Sequence, residues 1–187
     1  MKLIIILNFI FYTSFSSAGE ALPLTCEITS DSIAKVKLGS RLNQIQIIYP
    51  NAKLTRTEDG EGVALVSFAV GNQELAVIYA GEENINASIN LSNKIESIET
   101  FNPICKSTLG IHPGITVKKA AKLLDGVNII TLSEIESRQY VDFKKQSKNY
   151  AYRIDYCGEF KNDAKETKKY KLSCKIFSII ISDSFIK

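Results

Sequence analysis

Placing Gly39 on Gly114, an offset of 75 residues, lays GSRLNQIQIIYPNAKL over GITVKKAAKLLDGVNI, and this internal correspondence restricts the fold more than any other feature of the chain. Leu42, Ile45 and Tyr49 then fall on Val117, Ala120 and Leu124. Each trio has the i, i+3, i+7 spacing of the inward stripe of an amphipathic helix. Pro50 stops one helix, and Asp125 with Gly126 stops the other. Downstream, Val66 and Phe68 of VALVSFAV meet Val141 and Phe143 of YVDFKK, ELAVIYA meets NYAYRID, and KIESIET meets KYKLSCK. Their alternation and β-branched or aromatic content predict strands, with turns at Gly71-Asn72 and at Gln146-Ser147-Lys148. The expected fold is therefore α+β: two tandem units, each a helix followed by a three-strand antiparallel meander, over residues 33–102 and 103–182. Side by side the units could share one continuous sheet with the helices on one face.

The first residues, MKLIIILNFIFYTSFSSAGEA, join Lys2 to an apolar run from Leu3 to Tyr12 and end in small residues. That is the pattern of a secretory signal peptide over residues 1–18, cleaved after Ala18 or after Ala21, and the run is too short to span a bilayer. Residues 19–32 form an N-terminal segment and residues 183–187 a C-terminal tail. Pro23-Leu24-Thr25 stands before Cys26, well past the apolar run, so the pattern is not that of a lipid-attached cysteine and no stable membrane anchor is expected after cleavage. Four cysteines in an exported chain read as two disulfides, which places the protein in the periplasm or outside the cell. YAYRIDYCGEF and YKLSCKIFSIII flank a polar loop whose centre lies midway between Cys157 and Cys174, so a hairpin closed around it sets those two cysteines opposite each other. Cys26 and Cys105 remain as the second pair. With no Cys-x-x-Cys, and one histidine near Cys105 alone, no metal site and no cofactor are expected.

The run IESIETFNPICKSTLGIHPGITVKKAAKLL has an aliphatic strand, a short loop with Thr, and then Gly-x-x-x-Gly-x-Thr leading into a helix. Tandem units of this kind resemble the beta-lactamase inhibitor protein fold and the related small outer-membrane assembly lipoproteins, over about residues 33–182. The resemblance implies a rigid, concave scaffold that binds another protein. Gln44 and Lys119 stand where that pattern usually has an acid at the third helical position.

Residues that might carry chemistry are few. GIHPG, from Gly110 to Gly114, is one residue short of a phosphate-binding loop and has Ile115 where the lysine belongs. His112 is the only imidazole, with Ser107 and Thr108 as local hydroxyls, and no Gly-x-Ser-x-Gly elbow is present, so no catalytic residue is assigned. The acids gather in turns, at Glu58, Asp59 and Glu61, at Glu82 and Glu83, and at Glu134 and Glu136, a grouping that argues for solvation rather than paired catalysis. Asn86-Ala-Ser and Asn90-Leu-Ser match the glycosylation acceptor pattern, as composition alone predicts in a chain rich in asparagine. A formal charge of +3 is too small to argue for nucleic acid.

Lysines instead crowd the C-terminal half, among them Lys161, Lys165, Lys168, Lys169 and Lys171, interleaved with Tyr150, Tyr152, Tyr156 and Tyr170. On a strand Tyr150, Tyr152 and Tyr156 share one face and Arg153 lies on the other. Two readings stand: tyrosines packed in the core, or a tyrosine-rich basic surface, with Tyr150, Tyr152, Arg153, Tyr156 and Lys169 as anchors, that docks an acidic protein. The expected function is an exported non-catalytic binding module, an inhibitor or immunity-type neutraliser of an enzyme. The alternatives are an envelope-maintenance or outer-membrane assembly factor and a small hydrolase built on His112.

Overall fold

The computed structural model describes residues 25–134 and 137–185. The signal peptide read over residues 1–18 and the acid Glu136 lie outside them. In chain order the elements are β1 (Cys26–Ile28), β2 (Ser32–Ile33), β3 (Val36–Lys37), α1 (Asn43–Ile48), β4 (Ala52–Glu58), β5 (Ala64–Val70), β6 (Gln73–Tyr79), β7 (Ser97–Thr100) and β8 (Cys105–Ser107). There follow α2 (Val117–Leu123), β9 (Val127–Ser133), β10 (Arg138–Phe143), β11 (Tyr150–Ile154), β12 (Glu166–Thr167) and β13 (Ile176–Ser182). Nine strands form one antiparallel sheet in the order β12-β9-β10-β11-β13-β7-β6-β5-β4, and four short ones form another in the order β3-β2-β1-β8. Within the small sheet β1 and β8 run parallel, with Cys26 opposite Cys105.

The molecule is mainly β, which corrects the α+β expectation of two helix-plus-three-strand units. The helices have six and seven residues, under two turns each, and serve as plugs rather than as a layer. Four strands of the large sheet follow α1, not three: AKLTRTE forms edge strand β4, whose polar residues hide its alternation from sequence reading. KYKLSCK is mostly loop, and the strand expected there is β13, several residues further on. The small sheet draws on the N-terminal segment read over residues 19–32, on the first residues of the unit read over 33–102 and on the start of the unit read over 103–182, which strand signals two or three residues long cannot announce.

Both helices are launched in the same way. The Gly39 N–H donates to the Ile95 carbonyl at 2.8 Å and the Ile95 N–H returns to that of Ser40, while Gly114 donates to Ile176 at 2.7 Å and Ile176 returns to Ile115. These reciprocal bonds hold each approach against a sheet strand or its lead-in, and both glycines sit at positive φ, 71° and 88°, where a side chain would be strained. Thr116 caps α2 by accepting the Lys119 N–H at 3.2 Å, whereas α1 starts at Leu42 without a side-chain cap. Leu42, Ile45, Val117 and Ala120 are fully buried and join the inward residues of the large sheet, Phe68, Ile78, Ile98 and Tyr152 among them, in one core.

Both disulfides form. Cys26–Cys105 has a Cα–Cα distance of 4.3 Å and staples the small sheet to mid-chain; Cys157–Cys174, at 5.4 Å, closes the ends of β11 and β13. Those strands pair with Tyr150 opposite Ile181 and Tyr152 opposite Ile179, the register shifts between Arg153 and Ile154, and the second pair of cysteines meets just beyond the paired residues. Two disulfides fit an oxidising compartment. No helix among the described residues is long and apolar enough to cross a membrane.

Ile98 lies on the inward face of β7, at the seam where the two halves of the sheet meet. Ile98→Ala is expected to cost about 2–5 kcal/mol in chemical denaturation, as core truncations do. Replacing Cys26 and Cys105 together by serine is expected to cost about 2–5 kcal/mol.

Candidate functional site

Among the described residues no helix covers the outward face of the large sheet, yet that face is not uniformly polar. Leu65 and Val77 point outward from β5 and β6, as do Tyr79, Ala151 and Ile180 from their strands, by strict alternation with the buried Val66, Ile78, Tyr152 and Ile181. Glu99, from the centre of β7, stands opposite Val77 and Ile180 on the same face and accepts a hydrogen bond from the Ser178 hydroxyl.

This face is strongly curved. Five strand spacings separate β5 from β10, which at ~4.8 Å each would place them about 24 Å apart in a flat sheet. Yet Asp59, in the β4–β5 turn, lies 3.5 Å from the Arg138 guanidinium at the start of β10. The two are diagonal corners of the sheet, and right-handed twist brings such corners together over one face. Bulges at Phe68/Ala69, Asp142/Phe143 and Arg153/Ile154 add to that curl. Asp59 and Arg138 thereby form a clasp across the face.

Each arm of the clasp is braced. Asp59 accepts the backbone N–H groups of Glu61 and Val63, both at 2.9 Å, which fixes the turn around its carboxylate. Burial opposes ionisation of Asp59, but the N–H groups of Val63 and Glu61 and the charge of Arg138 outweigh it and hold the carboxyl below its ordinary value of 3.8. On the other arm, Tyr156 donates its hydroxyl to the Ser137 carbonyl, and buried Gln139 accepts the Gly158 N–H at 2.9 Å. A Cβ at Gly158 would lie 2.8 Å from the Phe160 ring, so this approach requires glycine.

Beneath the clasp lie two clefts of about 550 and 560 Å³. One opens towards Tyr79, Ser97 and Ile180, the other towards Glu74, Phe101 and Arg153, and both share Asp59, Glu61, Leu65, Val77, Glu99 and Arg138. They are two mouths of one channel under the Asp59–Arg138 pair. At the second mouth Arg153 stacks 4.9 Å over Phe177, whose ring meets Phe101 edge-on at 5.4 Å.

The anchors expected from sequence do not share a surface. Tyr152 is only 2% exposed and packs edge-on against Phe143 and Tyr150, so it is a core residue and cannot anchor a partner. Tyr150 is half-buried on the same inward face; burial, then the carboxylates of Asp31 and Glu27, push its hydroxyl up to about 12. Tyr156 is 58% exposed but serves as the strut described above. Lys169 lies exposed in the loop after β12, and Arg153 alone of the five lines the channel. His112 is turned inward on its own loop, with Nδ1 2.7 Å from the Pro113 carbonyl, and the Ser107 hydroxyl accepts the Ile111 N–H at 3.1 Å. Two turn acids expected to be solvated are not: Asp59 holds the clasp, and Glu82 pairs with Arg56 while accepting the Asn90 N–H at 2.9 Å.

The channel residues escaped sequence reading, although one signal marks them. β5 and β6 carry apolar residues at both parities, Leu65 beside Val66 and Val77 beside Ile78, whereas a sheet face open to water reads polar at alternate positions.

No protein-family model matches the chain, and no curated protein matches it. Among solved structures it is similar to the uncharacterized protein yfeY from Escherichia coli, at 12% identity and a TM-score of 0.53, over 84% of this chain and 99% of that one. At that identity the likeness speaks for the fold alone.

The lowered carboxyl of Asp59 contributes stability that is present above pH 3.8 and lost as pH falls through its folded-state value. In Asp59→Asn the part of the acid sensitivity below pH 3.8 that this carboxyl carries should disappear. A double-mutant cycle of Asp59→Asn with Arg138→Gln, followed by denaturation at pH 7, should return a coupling of about 1 kcal/mol.

Proposed function

We propose that the protein is an exported, non-catalytic binding module that receives a segment of another protein in the clasped channel. In this way it neutralises an enzyme of the periplasm or the surrounding medium. The observation that carries the reading is the outward face itself: Leu65, Val77 and Ile180 line a concave, accessible channel instead of lying under a covering layer. Accessible apolar residues gathered in a concavity and rimmed by charge have the character of a recognition site. His112 and Ser107 spend their polar atoms on the loop that holds them, which favours a scaffold over a hydrolase. The two disulfides and the leader-like first residues support export.

A photo-crosslinking side chain at Val77, with a second probe at Lys169, tests this in periplasmic extract and culture medium. The Val77 probe should capture a protein that then binds the purified chain, and Val77→Arg should weaken that binding at least about tenfold, while leaving the melting temperature within a few degrees. Capture from Lys169 alone, or binding indifferent to Val77→Arg, would move the site to the lysine-rich loop and end the channel reading. An enzyme as the captured partner supports neutralisation; a component of envelope assembly would replace that role by the assembly one.

A further inference from the structure

We propose that the exposed face of α2, together with the turn from Lys171 to Cys174 beside it, docks reversibly on the surface of an anionic phospholipid bilayer. The two elements are joined through the backbone. The Val117 N–H donates to the Cys174 carbonyl at 2.9 Å, and Thr116 bridges to Lys175. Val117, Ala120 and Leu124 turn into the core, which leaves Lys118, Lys119, Lys122 and Leu123 along one exposed arc of the helix.

The turn holds an apolar side chain in water. Leu172, at its tip, is 75% exposed, the highest value for a large apolar side chain among the described residues. The Cys174 N–H closes the turn on the Lys171 carbonyl at 2.9 Å, the Lys171 N–H donates to the Cys157 carbonyl at 3.0 Å, and the Cys157–Cys174 disulfide ties the stem. So braced, the turn keeps its leucine outward for an external surface to take up.

Lys171 and Lys175 flank that leucine. Among the described residues no carboxylate pairs with either of them or with the three lysines of α2. Asp125, just after the helix, is matched by Lys145 at 3.6 Å, and Asp155 shares a cleft with Lys171 and Lys175. Five lysines thus stand against Asp155. The fold does not require this charge: α1, the counterpart of α2 at the offset of 75 residues, exposes Asn43, Gln44, Gln46 and Ile47, none of them charged.

Composition favours lipid over an acidic protein as the partner. Protein interfaces are enriched in aromatic residues and arginine and depleted in lysine, whereas this face offers lysine and leucine. At a bilayer surface the leucines enter the boundary beneath the headgroups while ammonium groups meet lipid phosphates, and the attraction grows with each basic residue. A helix arc and a turn tip are convex, which suits a broad surface rather than an inserted segment. Because α2 packs on the inward side of the large sheet, across the core from the channel, docking there leaves the channel open.

The chain contains no tryptophan, so Leu172→Trp puts a single reporter at the turn tip and Ile47→Trp puts one on the uncharged helix. Vesicles of phosphatidylglycerol and phosphatidylcholine in about equal parts, and vesicles of phosphatidylcholine alone, are offered at low salt to the full mature chain. In co-sedimentation the unsubstituted chain should bind the mixed vesicles at least about tenfold more strongly. Changing Lys118, Lys119 and Lys122 together to glutamine should weaken that binding at least about tenfold with the melting temperature within a few degrees, and Lys148→Gln, at an exposed turn elsewhere, should leave it unchanged. With mixed vesicles the emission of Leu172→Trp should move to shorter wavelength while that of Ile47→Trp stays where it was. Binding to neither vesicle, equal binding to both, or binding indifferent to the three lysines overturns the proposal. So does a Leu172→Trp emission that does not move or is matched by that of Ile47→Trp. An acidic protein bound at this face by a chain that ignores both vesicles would overturn it in favour of a protein partner.

Discussion

The pairing of β7 with β13 joins what would otherwise be two open sheets, and both the core and the channel hang from it. Ile98 faces Ile181 and Thr100 faces Ile179 across this seam, all four buried. The Ser182 hydroxyl pins the register across the seam by donating to the Glu96 carbonyl at 3.1 Å, and the Thr100 hydroxyl ties β7 to β6 on its other side by donating to the Leu75 carbonyl at 2.7 Å. A slip by one residue of β13 would send its isoleucines to the outward face and strand the Ser182 hydroxyl. With five strands on one side of the seam and four on the other, twist accumulates over a long enough span for diagonal corners to meet.

That closure gives the clasp its character. Asp59 and Arg138 are distant in sequence and in the sheet order, and they touch because the whole sheet curls. Their attraction is small beside the packing of the core, so the pair records the curvature more than it creates it. What it does create is a roof. An outward face that would read as an ordinary half-wet sheet becomes a channel with two mouths, in which apolar side chains remain reachable and carboxylates outnumber guanidiniums.

Features set by short-range chemistry were legible in the sequence. The stripes at Leu42, Ile45 and at Val117, Ala120 point inward, Thr116 caps its helix, Gly71-Asn72 makes a two-residue turn, and the cysteines pair as their spacing suggests. Much of the rest was not legible, for identifiable reasons. β4 shows weak alternation because, as an edge strand, it buries little of either face. The small sheet is made of strands two or three residues long, below the length at which periodicity has meaning. Tyr152 and Arg153 are neighbours in sequence, but the pleat sends one to the core and the other to the channel, so a count of tyrosines and lysines could not tell a surface from an interior.

The sequence by itself determined where the chain turns, which helix faces are apolar, which cysteines can meet, and that the product suits an oxidising compartment. Each of these depends on residues close in the chain or related by a hairpin's symmetry, except Cys26–Cys105, which follows as the remaining pair. The tertiary structure alone decided that the halves share one sheet, that Asp59 meets Arg138, and that Glu82 is taken up by Arg56 rather than by water. It also decided that Glu58, Asp59, Glu61, Glu74 and Glu99 line adjoining clefts with Arg138 and Arg153. Those outcomes depend on the twist summed over nine strands, a property of the assembled sheet that no local window of residues contains.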